Sequence, residues 1–315
     1  MSNIKVIALS GGVGGAKLLR GLYAVLPPDT LAAIVNTGDD FEHLGLHISP
    51  DIDTALYTLG GLAHPEQGWG RREETWNFMS ALEAVGGESW FRLGDADLAL
   101  HVERTRRLKA GEPLSSVIAH FARSFGISAQ IIPMSDDPVA TRVLTDKGEL
   151  AFQDYFVRRR CEPVLRGLRF VGAEEAQLTE SARAAFASPD LEAIIIAPSN
   201  PWLSIDPLLA IPELRRALET AKCPRIAVTP IIAGKAVKGP TTKIMGELGV
   251  AVSPLSVAAH YCGLLDGFIL DERDVALAEQ FDLRTQIANT LMTTLGDYER
   301  VARNVLAFLN IAAHA

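Results

Sequence analysis

The sequence predicts a doubly wound α/β fold, because short apolar strands alternate with helical periods near both ends of the chain. Residues 5–9 and 31–36 have the composition of buried strands, and residues 16–26 between them have helical periodicity. A strand, a helix and a second strand in this order form a parallel unit whose crossover helix covers one face of the sheet. Three more strands are predicted later in the chain, at residues 193–197, 225–229 and 267–270.

The middle of the chain follows a different pattern. Helices are predicted at residues 76–85 and 114–125 from their apolar spacing. Two strand-like segments, residues 140–145 and 149–156, flank the turn Asp146-Lys147-Gly148. This arrangement is typical of a β-hairpin.

These elements predict one domain rather than two. We expect a mostly parallel sheet to organise a single α/β domain over residues 1–315, with an inserted helical and hairpin subregion at about residues 65–160. Residues 295–309 are predicted to form a closing helix. The chain contains no internal repeat or low-complexity linker that would divide it.

The composition narrows the function classes. The chain is 48% hydrophobic and 22% charged, as in ordinary globular proteins, and its net charge of -8 disfavours a broad nucleic-acid surface. The first residues carry a short apolar run that is too short for a signal peptide or a membrane span. We therefore expect a cytoplasmic protein without nucleic-acid or membrane partners, and base rates favour a homodimer. Cys161, Cys223 and Cys262 are widely separated, so they are expected to be buried small hydrophobes.

The strongest local signal is the segment Ser10-Gly11-Gly12-Val13-Gly14-Gly15-Ala16-Lys17, between the first predicted strand and helix. Glycines adopt positive φ easily and let backbone N–H groups approach an anion, which the helix N-terminus also favours. The segment differs from both common phosphate fingerprints, because it lacks a Gly-Lys-Ser/Thr ending and Lys17 replaces a glycine of GxGxxG. A tight turn without a ligand is the alternative. The candidate ligand-binding residues are Gly11, Gly12, Gly14, Gly15 and Lys17.

Two pairs of aspartates follow the second predicted strand. They belong to the segments Asn36-Thr37-Gly38-Asp39-Asp40 and Ser49-Pro50-Asp51-Ile52-Asp53-Thr54. Carboxylates near strand ends can supply the oxygen ligands that Mg²⁺ prefers and so offset the charge of a pyrophosphate. Helix capping and an Asx turn are the structural alternatives. The candidate metal ligands are Asp39, Asp40, Asp51 and Asp53.

Other polar segments are candidates for ligand contacts. Arg92 precedes the acidic segment Gly94-Asp95-Ala96-Asp97, where its guanidinium could bind an anionic or carbonyl-rich ligand or form a surface salt bridge. Ser199 and Asn200 follow one late strand, and Lys238 lies in the loop after the next. Loops at strand ends build the ligand crevice of an open α/β sheet, although solvated loop charges are the alternative.

The absence of other motifs removes two enzyme classes. The seven histidines form no HExxH, which disfavours a zinc hydrolase. No GxSxG elbow is present, which disfavours a serine hydrolase. From the residues alone, the interpretation is a Mg²⁺-assisted enzyme acting on a nucleotide or a phosphorylated ligand.

The chain also resembles a known family. The segments SGGVGGAKLL, VNTGDD, SPDIDTALYTLGG, RLGDADLA, PMSDDPV, FQDYFVRRR, APSNP, VKGP and LDERD, from about residue 7 to residue 274, are together similar to the 2-phospho-L-lactate transferase family of coenzyme F-420 biosynthesis. Each segment alone is a weak signal, but nine in the same order make an accidental similarity improbable.

The resemblance implies a Rossmann-like fold, Mg²⁺ as cofactor and transfer of a substituted phosphate group. The donor would be a guanosine diphosphate-linked lactyl, enolpyruvyl or glyceryl compound. The acceptor would be the ribityl hydroxyl of the deazaflavin Fo, 7,8-didemethyl-8-hydroxy-5-deazariboflavin, and GMP would leave. The sequence leaves open which three-carbon acid the donor carries.

The resemblance also implies roles for the site residues. Asp53 and Arg92 would contact the deazaflavin, whereas the glycine segment, Ser199 and Asn200 would face the guanosine donor. The four aspartates would form the metal shell, and Asp51 or Asp53 could accept the proton of the hydroxyl. Ala96 departs from the pattern, because many relatives are expected to have a basic residue there.

Two other functions fit parts of the pattern. A regulatory protein of the same fold could bind a nucleotide sugar or a dinucleotide without turning it over. An NAD-dependent oxidoreductase could use the glycine segment with Asp39, but Lys17 breaks the glycine pattern of that class.

Overall fold

The computed structural model describes residues 3–313, and we number its elements along the chain. The strands are β1 (Val6–Ser10), β2 (Leu31–Val35), β3 (Phe41–His43), β4 (Leu46–Ile48), β5 (Gln130–Pro133), β6 (Ala140–Thr145), β7 (Gly148–Ala151), β8 (Leu165–Val171), β9 (Ala193–Ile196), β10 (Arg225–Val228), β11 (Ile231–Ile232), β12 (Lys235–Ala236), β13 (Gly267–Asp271) and β14 (Arg284–Ala288). The α-helices are α1 (Gly12–Val25), α2 (Pro50–Leu59), α3 (Asn77–Ala84), α4 (Asp95–Lys109), α5 (Leu114–Ser124), α6 (Glu180–Phe186), α7 (Asp206–Leu209), α8 (Pro212–Glu219), α9 (Thr241–Glu247), α10 (Pro254–His260) and α11 (Leu295–Leu309). Short π-helices span Asp154–Arg158 and Pro201–Ile205, and 3₁₀ turns span Glu272–Gln280.

Seven strands form the central sheet in the order β14-β13-β10-β9-β1-β2-β5, and every neighbouring pair is parallel. The predicted doubly wound α/β fold is therefore confirmed. The chain builds β2 and β5 on one side of β1 and then β9, β10, β13 and β14 on the other. In such a sheet the crevice for a ligand opens at the carboxyl ends of the strands where this reversal occurs. Here it lies between the segments that follow β1 and β9.

The uniformly apolar strands are explained by a core on each face of the sheet. Along β1, Val6 and Ala8 join a core that includes residues of α1, α2, α5 and α11, whereas Ile7 and Leu9 join the core on the other face. Successive side chains of a strand point to opposite faces, so a strand covered on both sides needs an apolar residue at every position.

The inserted elements form two groups rather than one. The β3–β4 hairpin, α3 and α4 lie between β2 and β5, and an antiparallel sheet of order β7-β6-β8 follows β5. The predicted subregion at about residues 65–160 is therefore interrupted by a strand of the central sheet. Ile131 and Ile132 of β5 are buried in the cores on opposite faces of the sheet, which explains why both are apolar.

The predicted hairpin is confirmed in its first strand and differs in its second. β6 spans the predicted residues, but β7 ends at Ala151 because a π-helix begins at Asp154. β8 adds a third strand that the sequence analysis did not identify.

The predicted closing helix is confirmed as α11, and it packs against α1 at a glycine. The N-terminus of α11 carries a capping box between Thr294 and Asp297. A Cβ added to Gly21 of α1 would lie 2.1 Å from the carbonyl oxygen of Tyr298. Only glycine allows the two helix backbones to approach this closely.

The remaining expectations concern cysteines and membrane contact. Only Cys161 is buried, whereas Cys223 is half-buried and Cys262 is exposed, and all three are free thiols. Within residues 3–313, no helix has both the length and the apolar character needed to cross a membrane.

We predict that Gly21→Ala lowers the free energy of unfolding by about 2 kcal/mol, because the new methyl group overpacks the α1–α11 contact. Gly246→Ala in α9 is the matched control, since its added Cβ meets no atom within 4 Å. The control is expected to raise the free energy of unfolding by about 0.5 kcal/mol, because alanine is less flexible in the unfolded chain. Urea unfolding of both variants measures the difference, and equal effects would contradict the proposed close approach.

Candidate active site

The glycine segment forms the first turn of α1 instead of a separate loop. Gly11 is the residue before the helix, and Gly12 has a φ of +64° at its first position. The first N–H groups of a helix have no partner within it, so they are available to an anion. The Gly12 N–H already donates to Asp51 Oδ1 at 2.7 Å. A carboxylate therefore lies at the position that suits a phosphate oxygen.

The other three glycines are needed for close approach and not for positive φ. A Cβ on Gly14 would lie 2.4 Å from the carbonyl oxygen of Pro198, and one on Gly15 would lie 2.6 Å from Ser199 Oγ. A Cβ on Gly11 would lie 2.5 Å from Asp51 Oδ2. The segment after β9 and the start of α2 thus pack directly on the first turn of α1.

Ser199 and Asn200 lie in this crevice, but their polar atoms already have partners. Ser199 Oγ donates to the carbonyl oxygen of Gly11 at 2.7 Å and accepts the Gly11 N–H at 3.1 Å. Asn200 Oδ1 accepts two backbone N–H groups of the following π-helix, and its Nδ2 donates to Thr241 Oγ1 at 3.0 Å. Both residues join the segment after β9 to its neighbours.

Lys238 lies near the first turn of α1, because Gly68 is close to both. A Cβ added to Gly68 would lie 2.7 Å from Cγ1 of Val13, in that turn, and 3.6 Å from Nζ of Lys238. The Lys238 ammonium group is exposed and donates to the carbonyl oxygen of Gln67 at 2.6 Å. Lys17 is half-buried and donates to the carbonyl oxygen of Met292 at 2.6 Å. Burial lowers the pKa of Lys17, and the nearby charge of Lys238 lowers it further.

Asn36 joins two of the predicted aspartates. Its Nδ2 donates to Asp39 Oδ1 at 3.1 Å and to Asp51 Oδ2 at 3.0 Å, while its Oδ1 accepts the Gly38 N–H at 2.8 Å. Burial raises the pKa of Asp51 to about 6. Burial, followed by the charges of Asp51 and Asp40, raises the pKa of Asp39 well above its ordinary value. The two carboxylates are therefore poised to bind a proton or a cation.

Asp40 has different partners. Its Oδ2 accepts the Ser49 hydroxyl at 2.7 Å and lies 3.2 Å from His47 Nε2. Its Oδ1 is buried and has no hydrogen-bond partner within residues 3–313. Burial raises the pKa of Asp40, although the contact with His47 opposes this shift. Asp40 is thus the one predicted metal ligand with a free buried oxygen.

Asp53 is separated from the other aspartates by its pairing with Arg104 of α4. Both carboxylate oxygens accept from the guanidinium, Oδ2 from Nη1 at 3.2 Å and Oδ1 from Nη2. The Arg104 side chain is fully buried. The structure therefore does not present the four aspartates as one shell of free ligands. In the part of the chain that the structure describes, no group of three or more His, Cys, Asp and Glu side chains is arranged to hold a metal ion.

Arg92 lies on the surface, and its contact with a ligand stays a prediction. Its guanidinium is exposed and lies 4.6 Å from the ring centroid of Trp76, and among residues 3–313 it has no hydrogen-bond or ion-pair partner. The adjacent acidic residue Asp95 caps α3 by accepting the N–H groups of Asn77 and Phe78. Ala96 contributes only its backbone N–H to the neighbouring contacts. Asp95 therefore stabilises a helix end, whereas Asp97 contacts Tyr57 and His101.

Three residues of the site were missed by the sequence analysis. They are Asn36, which joins the aspartates, and His101 and Arg104, which lie against Asp53. The helical spacing of Asp97, His101 and Arg104 could have indicated a shared face of α4. That face alone could not show that the residues are buried or that they meet α2.

The model of the family described as "2-phospho-L-lactate transferase CofD" matches residues 6–307. The chain belongs to the CofD family. A phosphoenolpyruvate transferase of Streptomyces griseus is 38% identical, over 96% of this chain and 98% of that protein. A 2-phospho-L-lactate transferase of Methanosarcina mazei is also 38% identical, over 96% of this chain and 99% of that protein. This CofD-family chain is therefore a transferase of coenzyme F-420 biosynthesis.

A solved structure agrees with the fold of this CofD-family chain. A member of the UPF0052 family from Bacillus halodurans has a TM-score of 0.61 at 14% identity, over 97% of this chain and 99% of that one. At this level of identity the similarity concerns the fold alone.

We predict that Asp51 makes the metal-free protein less stable as the pH rises from about 4 to about 6. The pKa of Asp51 is about 6 in the folded protein against an ordinary value of 3.8, so the folded state binds the proton more tightly. The stability that the protonated Asp51 contributes is thus fully present below pH 4 and is lost as the pH rises through the folded pKa. Asp51→Asn should remove a pH-dependent decrease of about 3 kcal/mol in the free energy of unfolding.

Urea unfolding with a chelator present, at pH 4 and pH 7, measures this effect. Asp190→Asn is the control, because it removes an exposed carboxylate far from the paired aspartates in sequence. If Asp51→Asn and the wild type lose stability equally between the two pH values, the buried carboxylate does not have the assigned pKa.

Proposed function

We propose that this CofD-family protein transfers a phosphoester-bearing group from a guanosine diphosphate-linked donor to the ribityl hydroxyl of Fo, releasing GMP. The reaction belongs to the transferases of substituted phosphate groups and uses Mg²⁺. The observation that supports it most directly is the contact of Asp51 with both the first turn of α1 and Asn36, at the carboxyl edge of the sheet. A helix N-terminus for phosphate and paired carboxylates for a cation meet there.

The residues at this edge suit Mg²⁺. Asp39 and Asp51 supply only oxygen atoms, which is the ligand type that Mg²⁺ prefers, and the adjacent Asp40 has an unpartnered buried oxygen. Their raised pKa values mean that a divalent cation would relieve the cost of keeping several buried carboxylates ionised. When bound, Mg²⁺ would neutralise charge on the diphosphate oxygens. We propose Asp39, Asp40 and Asp51 as its candidate ligands and leave Asp53 out of the shell. Binding would require these side chains to move, because the described residues hold no three such side chains already arranged around one ion.

Asp51 is the proposed base of the reaction. A direct displacement forms a bond between the ribityl oxygen and phosphorus while the bond from phosphorus to GMP breaks, and the hydroxyl proton must leave. A carboxylate beside the reacting hydroxyl can accept this proton, and a bound cation would keep the carboxylate ionised near neutral pH. The reaction otherwise depends on positioning and charge neutralisation, to which the α1 N-terminus and Lys238 would contribute.

The nature of the acid on the donor is an open choice between close analogues. The relatives named above are a phosphoenolpyruvate transferase and a 2-phospho-L-lactate transferase, and both are 38% identical to this chain. Overall identity therefore favours neither donor, and we propose that the donor is one of these two or the glyceryl analogue.

We predict that purified protein with Fo, Mg²⁺ and each donor in turn forms GMP and a phosphoester of Fo with one preferred donor. Asp51→Asn is expected to lower kcat by about 100-fold or more, because general-base catalysis contributes about that much. Chromatography with mass detection follows both products. Asp190→Asn is the control variant and should retain the wild-type rate.

The absence of product with every donor would contradict the proposed transfer. Tight binding of a guanosine nucleotide without turnover would then favour a regulatory binding protein of the same fold. If Asp51→Asn retains full activity, Asp51 is not the base, although the proposed transfer still takes place.

We predict that Mg²⁺ raises the unfolding temperature of the wild type at pH 7 and that Asp39→Asn and Asp51→Asn reduce this shift. A cation that binds only the folded state stabilises it by an amount that rises with the logarithm of its concentration relative to Kd. Thermal unfolding with increasing Mg²⁺ provides the measurement, and no catalysis is required. An equal shift in both variants and the wild type would exclude Asp39 and Asp51 as ligands.

A further inference from the structure

We propose that Arg104 is a positioning residue that fixes the first turn of α2, and with it Asp51, against α4. This inference rests on the role proposed above for Asp51. Arg104 lies in an inserted helix and its side chain is fully buried, yet it does not touch Asp51 itself. It acts through Asp53, which follows Asp51 in the same helical turn.

The pairing of Arg104 with Asp53 restricts the orientation of that turn. Two N–H groups of the planar guanidinium bind the two oxygens of the carboxylate, which fixes distance and direction together. Asp53 is therefore paired with a cationic side chain, whereas the oxygens of Asp51 accept the neutral N–H groups of Gly12 and Asn36.

The same face of α4 also binds the backbone of His47, which lies in β4 shortly before α2 begins. Nη1 of Arg104 donates to the carbonyl oxygen of His47 at 3.3 Å, and Thr105 Oγ1 accepts the His47 N–H at 2.8 Å. The imidazole of His47 in turn lies 3.2 Å from Asp40 Oδ2. Two adjacent residues of α4 thus bind both backbone groups of His47, and this contact extends to the aspartate cluster.

A second contact fixes the next turn of α2. The hydroxyl of Tyr57 donates to Asp97 Oδ1, and His101 Nε2 lies 3.1 Å from Asp97 Oδ2. His101 Nδ1 lies 3.7 Å from Asp53 Oδ2, so the polar residues of α4 form a continuous buried row along α2. α2 is held at two successive turns, which limits both its translation and its rotation.

Stability alone does not explain this buried ion pair. Replacing a buried pair by apolar residues of similar volume is often neutral or stabilising, because the desolvation cost offsets the attraction between the charges. A pair that contributes little net stability but fixes two side chains in direction is better explained by the geometry that it maintains. The inference therefore predicts that stability and positioning can be separated by mutation.

The test compares the double variant Asp53→Leu/Arg104→Met with the wild type. We expect a urea midpoint that is unchanged or higher, a kcat about 100-fold lower and KM values within about threefold, because a displacement of about 1 Å can cost that much in rate. Glu103→Gln/Arg106→Met is the matched control, since it removes an exposed ion pair of the same helix. The control should retain kcat, KM and the urea midpoint.

Two further measurements separate positioning from a general loss of structure. Adding Asp51→Asn to the double variant should cause little further loss of kcat, because both changes act on the same carboxylate. Arg104→Lys keeps the charge but cannot bind in a bidentate manner, so it should show an intermediate kcat and serves if the double variant fails to fold.

A crystal structure of the double variant tests the inference without any activity. The distance from Asp51 Oδ1 to the Gly12 nitrogen, 2.7 Å here, should exceed hydrogen-bond range. An unchanged distance, or a wild-type kcat, would overturn the positioning role. An inactive wild type would instead overturn the proposed function, and the Asp51–Gly12 distance would still decide the role of Arg104.

Discussion

The position of the Asp51 carboxylate is the constraint on which the rest of the site depends. It accepts the N–H of Gly12 at the start of α1 and the amide of Asn36 at the end of β2, and it belongs to the first turn of α2. One side chain therefore joins three elements that are separate in sequence. Gly11 must lack a side chain because a Cβ there would meet Asp51. The glycine-rich turn is shaped by this carboxylate as well as by any phosphate that it binds.

The aspartates around this contact have two different electrostatic environments. Asp53 has a guanidinium partner, so its charge is balanced within the protein. Asp39 and Asp51 share the neutral amide of Asn36, which supplies hydrogen bonds but no positive charge. Burial without a counter-charge raises the pKa of both carboxylates. This imbalance does not favour folding, and it is the reason for proposing a cation at this site.

Most of the fold could be predicted because its strands and helices have clear periodicity. The central strands are uniformly apolar and α11 has a regular apolar face, so both were found close to their observed limits. The edge strands β5 and β14 were not identified, because β14 is only partly buried and the apolar part of β5 is limited to Ile131 and Ile132 between Gln130 and Pro133. A strand is apolar throughout only where both faces of the sheet are covered, and β14 is covered less completely than the central strands.

The site was predicted as a set of segments, but its pairings could not be. The motifs identified the aspartates, yet only the packing of α4 on α2 shows that Asp53 pairs with Arg104 while Asp51 does not. Arg92 was predicted as a ligand contact because it precedes an acidic segment, and it lies against Trp76. The guanidinium that is buried beside the aspartates is that of Arg104 in α4. Neighbouring carboxylates in a helix can thus have opposite environments, since successive residues face different directions. The inserted helix, and not the motif that contains both carboxylates, determines which of them is paired with a guanidinium.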